Sequence, residues 1–255
     1  MKIALKIAVL LIGLVTMNWS YERFMLIEFA AEEADQLLQV EKVNKCDIAY
    51  TSASSNFSQL PTEVDRRKIS QMIESLSKGK TVEAFNIPGS HAGTHKLLIN
   101  RLGNNERTKT VIATINLRTF GADWQNSELE TSLNKQNVMY ENRPALLNRF
   151  LVSLNAYDHK STEEREAIKQ EIWDSQQLPF PAPHNTVTDW CAEEKWGDWK
   201  NPKRQLADQF IKQYAFIIDE DNIRVKDFDE IVSICKKNDW KLIFHILPEN
   251  TQKAE

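Results

Sequence analysis

Short apolar runs alternate with amphipathic stretches along this chain, and this alternation restricts the fold more than any other feature. Runs typical of buried strands lie at residues 46–50, 81–87, 109–116 and 241–247. Apolar residues at helical spacing occur between these runs. Because strands that alternate with helices form βαβ units, the sequence predicts a parallel sheet. We expect an α/β fold, a three-layer α/β/α sandwich.

The same periodicity predicts where the helices lie. They are expected at residues 24–40, 60–79, 92–102, 144–156, 162–175, 203–217 and 225–238. Between residues 124 and 201 regularity is weaker, and several prolines interrupt the pattern. We therefore predict an irregular excursion over the sheet's carboxyl edge at 124–201, with helical pieces inside it.

Composition limits the class of protein. With 255 residues, of which 42% are hydrophobic, the chain can bury one large core, and we expect one domain over residues 23–255. The formal net charge is −4, which argues against nucleic acid as a partner, since phosphates require clustered Lys and Arg. Cys46, Cys191 and Cys235 are spaced too irregularly for a metal site or a disulfide framework. We expect buried thiols and predict no metal and no cofactor.

An apolar segment at the N-terminus predicts contact with a membrane. Lys2 and Lys6 flank the start of the segment, its apolar run covers residues 7–19, and no A-x-A-like cleavage site follows. We predict an uncleaved signal anchor over residues 1–22, with the folded part on the periplasmic side or the cell surface. A cleaved signal peptide of a secreted protein and a buried amphipathic helix are the alternatives. After export, two of the cysteines, Cys46 and Cys235, could pair.

Small and polar residues follow the first three predicted strands. Ser54 lies in the turn 51–56 after the first strand, Gly93 follows the second, and Asn116 ends the third. Since the carboxyl ends of parallel strands meet at one edge, we expect these residues to converge around one pocket. Acyl transfer by serine needs a hydroxyl on a tight turn and donors for an oxyanion. The pattern predicts Ser54 as nucleophile, with the Gly93 N–H and the Asn116 amide as oxyanion donors.

Two neighbouring side chains are candidates for binding substrate. Arg118 lies two residues after Asn116 and could hold a carboxylate or phosphate through two hydrogen bonds, with a structural ion pair as the alternative. His91 lies two residues before Gly93 and could line the cleft, with a helix-start or surface histidine as the alternative. We predict both as substrate-binding residues.

The order of a serine turn, a glycine and an asparagine at successive strand ends resembles the SGNH (GDSL-like) hydrolase superfamily. The likeness is to its exported bacterial branch, whose members modify acyl groups of polysaccharides and cell walls. It covers residues 50–121 by motif and 45–248 by expected fold. The resemblance implies a flavodoxin-like parallel sheet and gives Ser54, Gly93 and Asn116 the catalytic roles described above.

The chain departs from the family's pattern around the nucleophile and the base. Ser52-Ala53 stands where the family has Gly-Asp, and Thr114-Ile115-Asn116-Leu117 stands where it has Gly-x-Asn-Asp. The family's Asp-x-x-His, expected after the last strand, has no counterpart here. The hypothesis is therefore an impaired serine ester hydrolase or O-acyltransferase that acts on an envelope polysaccharide. A non-catalytic glycan-binding or assembly protein on the same scaffold and a shortened gene product are the alternatives.

Overall fold

A sheet of four parallel strands, in the order β2-β1-β3-β4, organises the molecule. Its strands are β1 (Ile48–Ser52), β2 (Val82–Asn86), β3 (Thr110–Ile115) and β4 (Lys241–Ile246). The computed structural model describes residues 2–57, 64–103, 107–177, 186–192, 212 and 216–246. The predicted mixed α/β fold with a parallel sheet is confirmed.

The strand order places β1 between β2 and β3. Ser52 at the end of β1 lies opposite Asn86 at the end of β2. On the other side of β1, Thr51 lies opposite Ala113 of β3. The chain moves outward from β1 to β2 and then crosses back over β1 to β3, so the direction of the strand order reverses beside β1. In open α/β sheets, ligands bind outside the carboxyl ends of the strands at such a reversal.

Helices surround the sheet. Those that precede or separate the first three strands are α1 (Lys2–Phe24), α2 (Leu26–Glu33), α3 (Gln36–Val43), α4 (Ile69–Leu76) and α5 (Ala92–Arg101). Those between β3 and β4 are α6 (Ala122–Gln125), α7 (Glu128–Tyr140), α8 (Ala145–Ser153), α9 (Thr162–Ser175), α10 (Val187–Ala192) and α11 (Ile223–Lys237). The predicted helix at 203–217 falls almost wholly outside the described residues.

Alternating side chains of the strands build two apolar clusters. Successive strand residues point to opposite faces. The larger cluster joins the sheet to α5, α7 and α11, and includes Ala49, Phe85, Val111, Leu98, Leu133 and Ile231. The smaller cluster packs Ile48, Tyr50, Val82 and Ile112 against α4. The near-continuous apolar run of β3 is explained by its burial on both faces.

The predicted helix at 24–40 is wrong in one respect, because the chain breaks there into α2 and α3. Ala34, with φ −157° and ψ 55°, leaves the helical region at the break. The turn lets α3 lie along the free edge of β2, where Gln36 Oε1 accepts a hydrogen bond from the Asn86 backbone N–H at 3.0 Å. The local apolar pattern of residues 24–40 does not reveal this contact with a distant strand.

Two other helical predictions differ from the structure. Of the helix expected over residues 60–79, residues 60–63 lie outside the described residues, and the described part begins at Ile69. There Gln71 Oε1 accepts the Lys68 N–H at 2.8 Å and caps the first turn. The described part of the predicted excursion is largely helical, and α7 was not predicted. This helix carries few apolar residues, with Leu133, Met139 and Tyr140 buried, so its periodicity is weak.

The N-terminal helix α1 is long and apolar enough to cross a membrane. Its 23 residues span about 35 Å, somewhat more than the hydrocarbon core of a bilayer. Its apolar side chains are exposed, as at Leu10, which is 62% exposed. The cysteines considered for a disulfide, Cys46 and Cys235, are buried free thiols. Burial raises the pKa of both, that of Cys235 to about 11.

Candidate functional site

The turn that carries Ser54 is held by buried polar contacts. Ser54 is half-buried and begins a 3-10 turn, Ser54–Asn56, directly after β1. Asn56 is 1% exposed, and its Nδ2 donates to Asn86 Oδ1 at 2.5 Å and to Ser70 Oγ at 3.2 Å. Its Oδ1 accepts the Ser70 backbone N–H at 2.8 Å. Asn56 thus ties the serine turn to the end of β2 and the start of α4.

The end of β1 is bound to the same acceptor. Ser52 Oγ donates to Asn86 Oδ1 at 2.7 Å, so this oxygen accepts from both Ser52 and Asn56. The roles of Asn56 and Asn86 were not predicted from the sequence. The available signal was a polar residue at the end of the serine turn and another at the end of the second strand, since buried polar side chains need partners.

A polar groove of about 310 Å³ runs along the free edge of β2. Its lining includes the polar side chains of Gln36, Gln39, Ser70, Gln71, Glu74 and Asn86. Two of these residues, Ser70 and Asn86, bond directly to Asn56. The groove therefore reaches the contacts that hold the Ser54 turn.

Gly93 lies in the first turn of α5, and its N–H is engaged. The ring Nδ1 of His91, at the helix N-cap, accepts this N–H at 3.1 Å. A Cβ atom on Gly93 would lie 2.9 Å from Asp227 Oδ2 and 3.0 Å from Arg224 Nη1. The missing side chain thus leaves room for the charged groups of α11. His91 itself is a buried helix-start residue, 3% exposed.

Those charged groups form an ionic cluster, defined here as His91, Lys96, Glu130, Arg224 and Asp227. Arg224 is 3% exposed, and its guanidinium contacts Glu130 Oε1 at 2.8 Å and Asp227 Oδ2 at 2.9 Å. Lys96 Nζ lies 2.7 Å from Asp227 Oδ1. The cluster thereby joins α5, α7 and α11 near the carboxyl edge of the sheet.

His91 belongs to the ionic cluster as a neutral ring. Its Nε2 lies 3.0 Å from Glu130 Oε2. Burial lowers the pKa of His91, and Nδ1 must be unprotonated to accept the Gly93 N–H. Burial acts to raise the pKa of Glu130, but the contacts with His91 and Arg224 lower it overall. Since His91 is neutral, Arg224 is the cation that keeps Glu130 ionised.

The other described histidines contact groups outside the serine turn, although Ser90, the partner of His95, donates to the Ser52 carbonyl oxygen at 3.4 Å, at the end of β1. His95 Nε2 lies 2.9 Å from Ser90 Oγ, and both residues are at most 2% exposed. Burial lowers the pKa of His95 to about 3. His245 Nδ1 lies 3.0 Å from the Tyr50 hydroxyl, and His159 Nδ1 lies 3.1 Å from the Tyr157 carbonyl oxygen. The Ser90–His95 pair has a suitable distance for proton transfer, but its burial denies it to substrate.

Asn116 and Arg118 lie together at the end of β3. Asn116 Oδ1 accepts the Arg118 backbone N–H at 3.2 Å and caps the 3-10 turn Leu117–Phe120. The Arg118 guanidinium lies 5.6 Å from the centre of the Trp124 ring. The structure thus places the turns after β1, β2 and β3 at one edge of the sheet. Convergence of Ser54, Gly93 and Asn116 on one pocket stays a prediction.

Comparisons with known proteins do not assign this chain to a family. The chain matches no model of a known protein family and no curated protein. Among the residues that the structure describes, no three His, Cys, Asp or Glu side chains come together as metal ligands. The function is therefore inferred from the residues at the sheet edge.

Proposed function

We propose that this chain is a membrane-anchored serine ester hydrolase or O-acyltransferase of the SGNH-like type, with a three-layer α/β/α architecture, that acts on an envelope polysaccharide. The observation that carries the proposal is the strand order β2-β1-β3-β4. It brings the Ser54 turn and the Asn116 turn to the reversal point between β1 and β3, where α/β sheets bind ligands. Gly93 follows β2, on the other side of β1.

In this proposal Ser54 Oγ bonds to the acyl carbonyl carbon and loses its proton to water, while the C=O π bond opens to an oxyanion that two donors stabilise. The oxyanion then collapses, the ester C–O bond breaks, and the sugar leaves as the alcohol after taking up a proton from water. Asn116 uses its Oδ1 to cap the following turn, so its Nδ2 hydrogens are the donors. The Gly93 N–H is the second donor, at the start of α5, where the helix dipole favours negative charge. It has to leave His91 Nδ1 to act. One such donor contributes about 3 kcal/mol to the transition state.

The groove beside β2 supports a polyhydroxylated substrate. Its volume of about 310 Å³ is at the small end of the range for ligand sites. The Gln39 amide offers donors and an acceptor, and the Nε2 groups of Gln36 and Gln71 offer further donors, which sugar hydroxyls need. The groove borders the contacts of Asn56, two residues from the proposed nucleophile.

The proposal includes a low rate of ester turnover. The four histidines that the structure describes have these contacts: His91 Nδ1 accepts the Gly93 N–H, His95 contacts the Ser90 hydroxyl, His159 contacts the Tyr157 carbonyl oxygen and His245 contacts the Tyr50 hydroxyl. The sequence holds no Asp-x-x-His, the pattern that supplies the base in the family it resembles, and a serine nucleophile depends on a base for fast acyl transfer. Oxyanion donors and binding alone still give a residual acceleration of about 10³–10⁴ over water. We therefore expect little turnover of small acetyl esters.

The second candidate is a non-catalytic glycan-binding or assembly protein on the same scaffold. The observation in its favour is the environment of Gly93. Its N–H is occupied by His91, and the space beside its Cα is taken by Asp227 and Arg224. In this alternative the glycine serves packing, and the groove along β2 binds glycan without chemistry.

Labelling with a fluorophosphonate probe separates the two candidates. Full-length protein in detergent should be labelled slowly at Ser54, and Ser54→Ala should abolish the adduct. Ser55→Ala is the matched control, since the neighbouring hydroxyl is buried. Loss of labelling in Ser54→Ala alone supports the hydrolase proposal. If saturating probe forms no adduct with the wild-type protein, the non-catalytic alternative is favoured. If Ser54→Ala still forms the adduct, another residue is the nucleophile and the assignment of Ser54 is wrong.

A further inference from the structure

Helix α8 is apolar on two sides, although only one side faces the protein core. Val152 is buried against the larger apolar cluster. On the opposite side, Leu147 is 43% exposed and Phe150 is 56% exposed, and Leu154, directly after the helix, is 60% exposed. These three positions follow the i, i+3, i+7 spacing of one helical face. A continuous apolar stripe on a protein surface marks an interaction site.

This stripe is held beside the base of the N-terminal helix. The Leu146 backbone N–H donates to Asn18 Oδ1 of α1 at 3.0 Å. Tyr21 of α1 is buried, 6% exposed, whereas the preceding apolar positions of that helix are exposed. Asn18 lies at the end of the apolar run 7–19, so α8 begins at the level where the apolar part of α1 ends.

The turn between α1 and α2 also exposes apolar side chains. Phe24 is 72% exposed, Met25 is 60% exposed and Ile27 is 63% exposed. The Arg149 guanidinium of α8 lies 4.0 Å from the centre of the Phe29 ring of α2, and this contact joins the two helices. The exposed side chains of the α1–α2 turn thus follow α1 directly in the chain, and α8 contacts α1 at Asn18.

We propose that α8 and the α1–α2 turn form a membrane-docking surface that rests on the headgroup and acyl boundary of the bilayer. The proposal depends on the membrane anchoring of α1 proposed above. Helices of this kind bury an apolar face at the boundary and keep basic residues toward the headgroups. Arg23 and Arg143 are exposed and Arg149 is half-buried in these segments, beside the exposed Glu22 and Glu28, so charges of both signs border the apolar side chains. Docking would fix the orientation of the sheet edge toward an envelope substrate.

Photocrosslinking in vesicles tests the docking surface. Full-length protein carrying Phe150→benzoylphenylalanine is reconstituted in vesicles of phosphatidylethanolamine and phosphatidylglycerol, irradiated and analysed by mass spectrometry for lipid adducts. Leu10→benzoylphenylalanine, within α1, reports whether the anchor is in the bilayer. Leu76→benzoylphenylalanine, on α4 and 81% exposed, is the matched control on another surface. We expect lipid adducts at positions 10 and 150 and none above background at position 76.

Each other result has a definite meaning. Adducts at position 10 without adducts at position 150 overturn the docking surface and leave the anchor standing. No adduct at position 10 overturns the anchor and the docking surface together. Equal adducts at positions 76 and 150 show unspecific lipid contact, and a protein adduct at position 150 shows a protein interface; both overturn the proposal. Leu147→benzoylphenylalanine repeats the test on the same stripe if the first variant does not fold.

Discussion

Replacing Arg224 by methionine tests whether the ionic cluster holds the helices together at the carboxyl edge. Arg224 is 3% exposed and bonds to Glu130 at 2.8 Å, to Asp227 at 2.9 Å and to the Thr119 carbonyl oxygen at 3.4 Å. Methionine keeps a comparable apolar stem but removes the charge and all of these donors. Two carboxylates then lose the cation that they share.

The expected cost follows from which carboxylate keeps a partner. Removing one member of a buried ion pair costs about 3–5 kcal/mol, because the other charge stays buried and unpaired. In the Arg224→Met protein, Asp227 still has a cation as a partner, the Lys96 Nζ at 2.7 Å. The remaining partner of Glu130 in the cluster is the neutral His91 ring. The buried charge without a cation as partner is therefore mainly that of Glu130. We expect Arg224→Met to lower the free energy of unfolding by about 3 kcal/mol.

Urea unfolding of the full-length protein in detergent, followed by tryptophan fluorescence, measures this loss. Lys226→Met is the matched control on the same helix, since its side chain is 58% exposed and lies 3.8 Å from Asp221. The control should cost less than about 1 kcal/mol. If the cost arises at Glu130, Arg224→Met combined with Glu130→Gln should lose less than the sum of the single variants. Equal losses in Arg224→Met and the control would refute the reasoning.

Two further predictions concern the start of α5. Burial lowers the pKa of His95 from 6.5 to about 3, so below about pH 6.5 the unfolded chain binds a proton that the folded protein excludes. The free energy of unfolding should therefore fall by about 2 kcal/mol through this group between about pH 7 and pH 5, and His95→Gln should flatten the curve of stability against pH. Identical slopes in both proteins would contradict this. Gly93→Ala should lower the free energy of unfolding in urea by about 1–3 kcal/mol, because the new Cβ would lie 2.9 Å from atoms of Asp227 and His91. The control Gly13→Ala, with open space around the glycine, should have no measurable effect. An unchanged stability of Gly93→Ala would show that the side chains of the ionic cluster can move to accommodate the Cβ.

Much of the sheet could be predicted from the sequence because local periodicity reports burial. The run Val111-Ile112-Ala113 is apolar at consecutive positions, and the structure buries it on both faces of β3. The residues at the strand ends could be named for the same reason, since a strand that is located also locates its end. Ser54 and Asn116 therefore followed from the pattern, and the N-terminal helix followed from its length and composition.

The contacts between distant elements could not be predicted. His91, Glu130 and Arg224 are far apart in the chain, and none carries a local signal that names its partner. The break between α2 and α3 at Ala34 likewise depends on how α3 packs against β2. The engagement of the Gly93 N–H by His91 depends on how α5 begins, which its apolar stripe does not reveal.

The sequence by itself determined the alternation of strands and helices, the apolar N-terminal helix and the residue types at the carboxyl ends of the strands. These features depend on the spacing of apolar and small residues within a single element. The tertiary structure alone decided the strand order, the partners of the histidines and the place of α8 beside α1. Such pairings arise when elements pack, because a hydrogen bond or ion pair requires that two groups meet in space, whatever their separation along the chain.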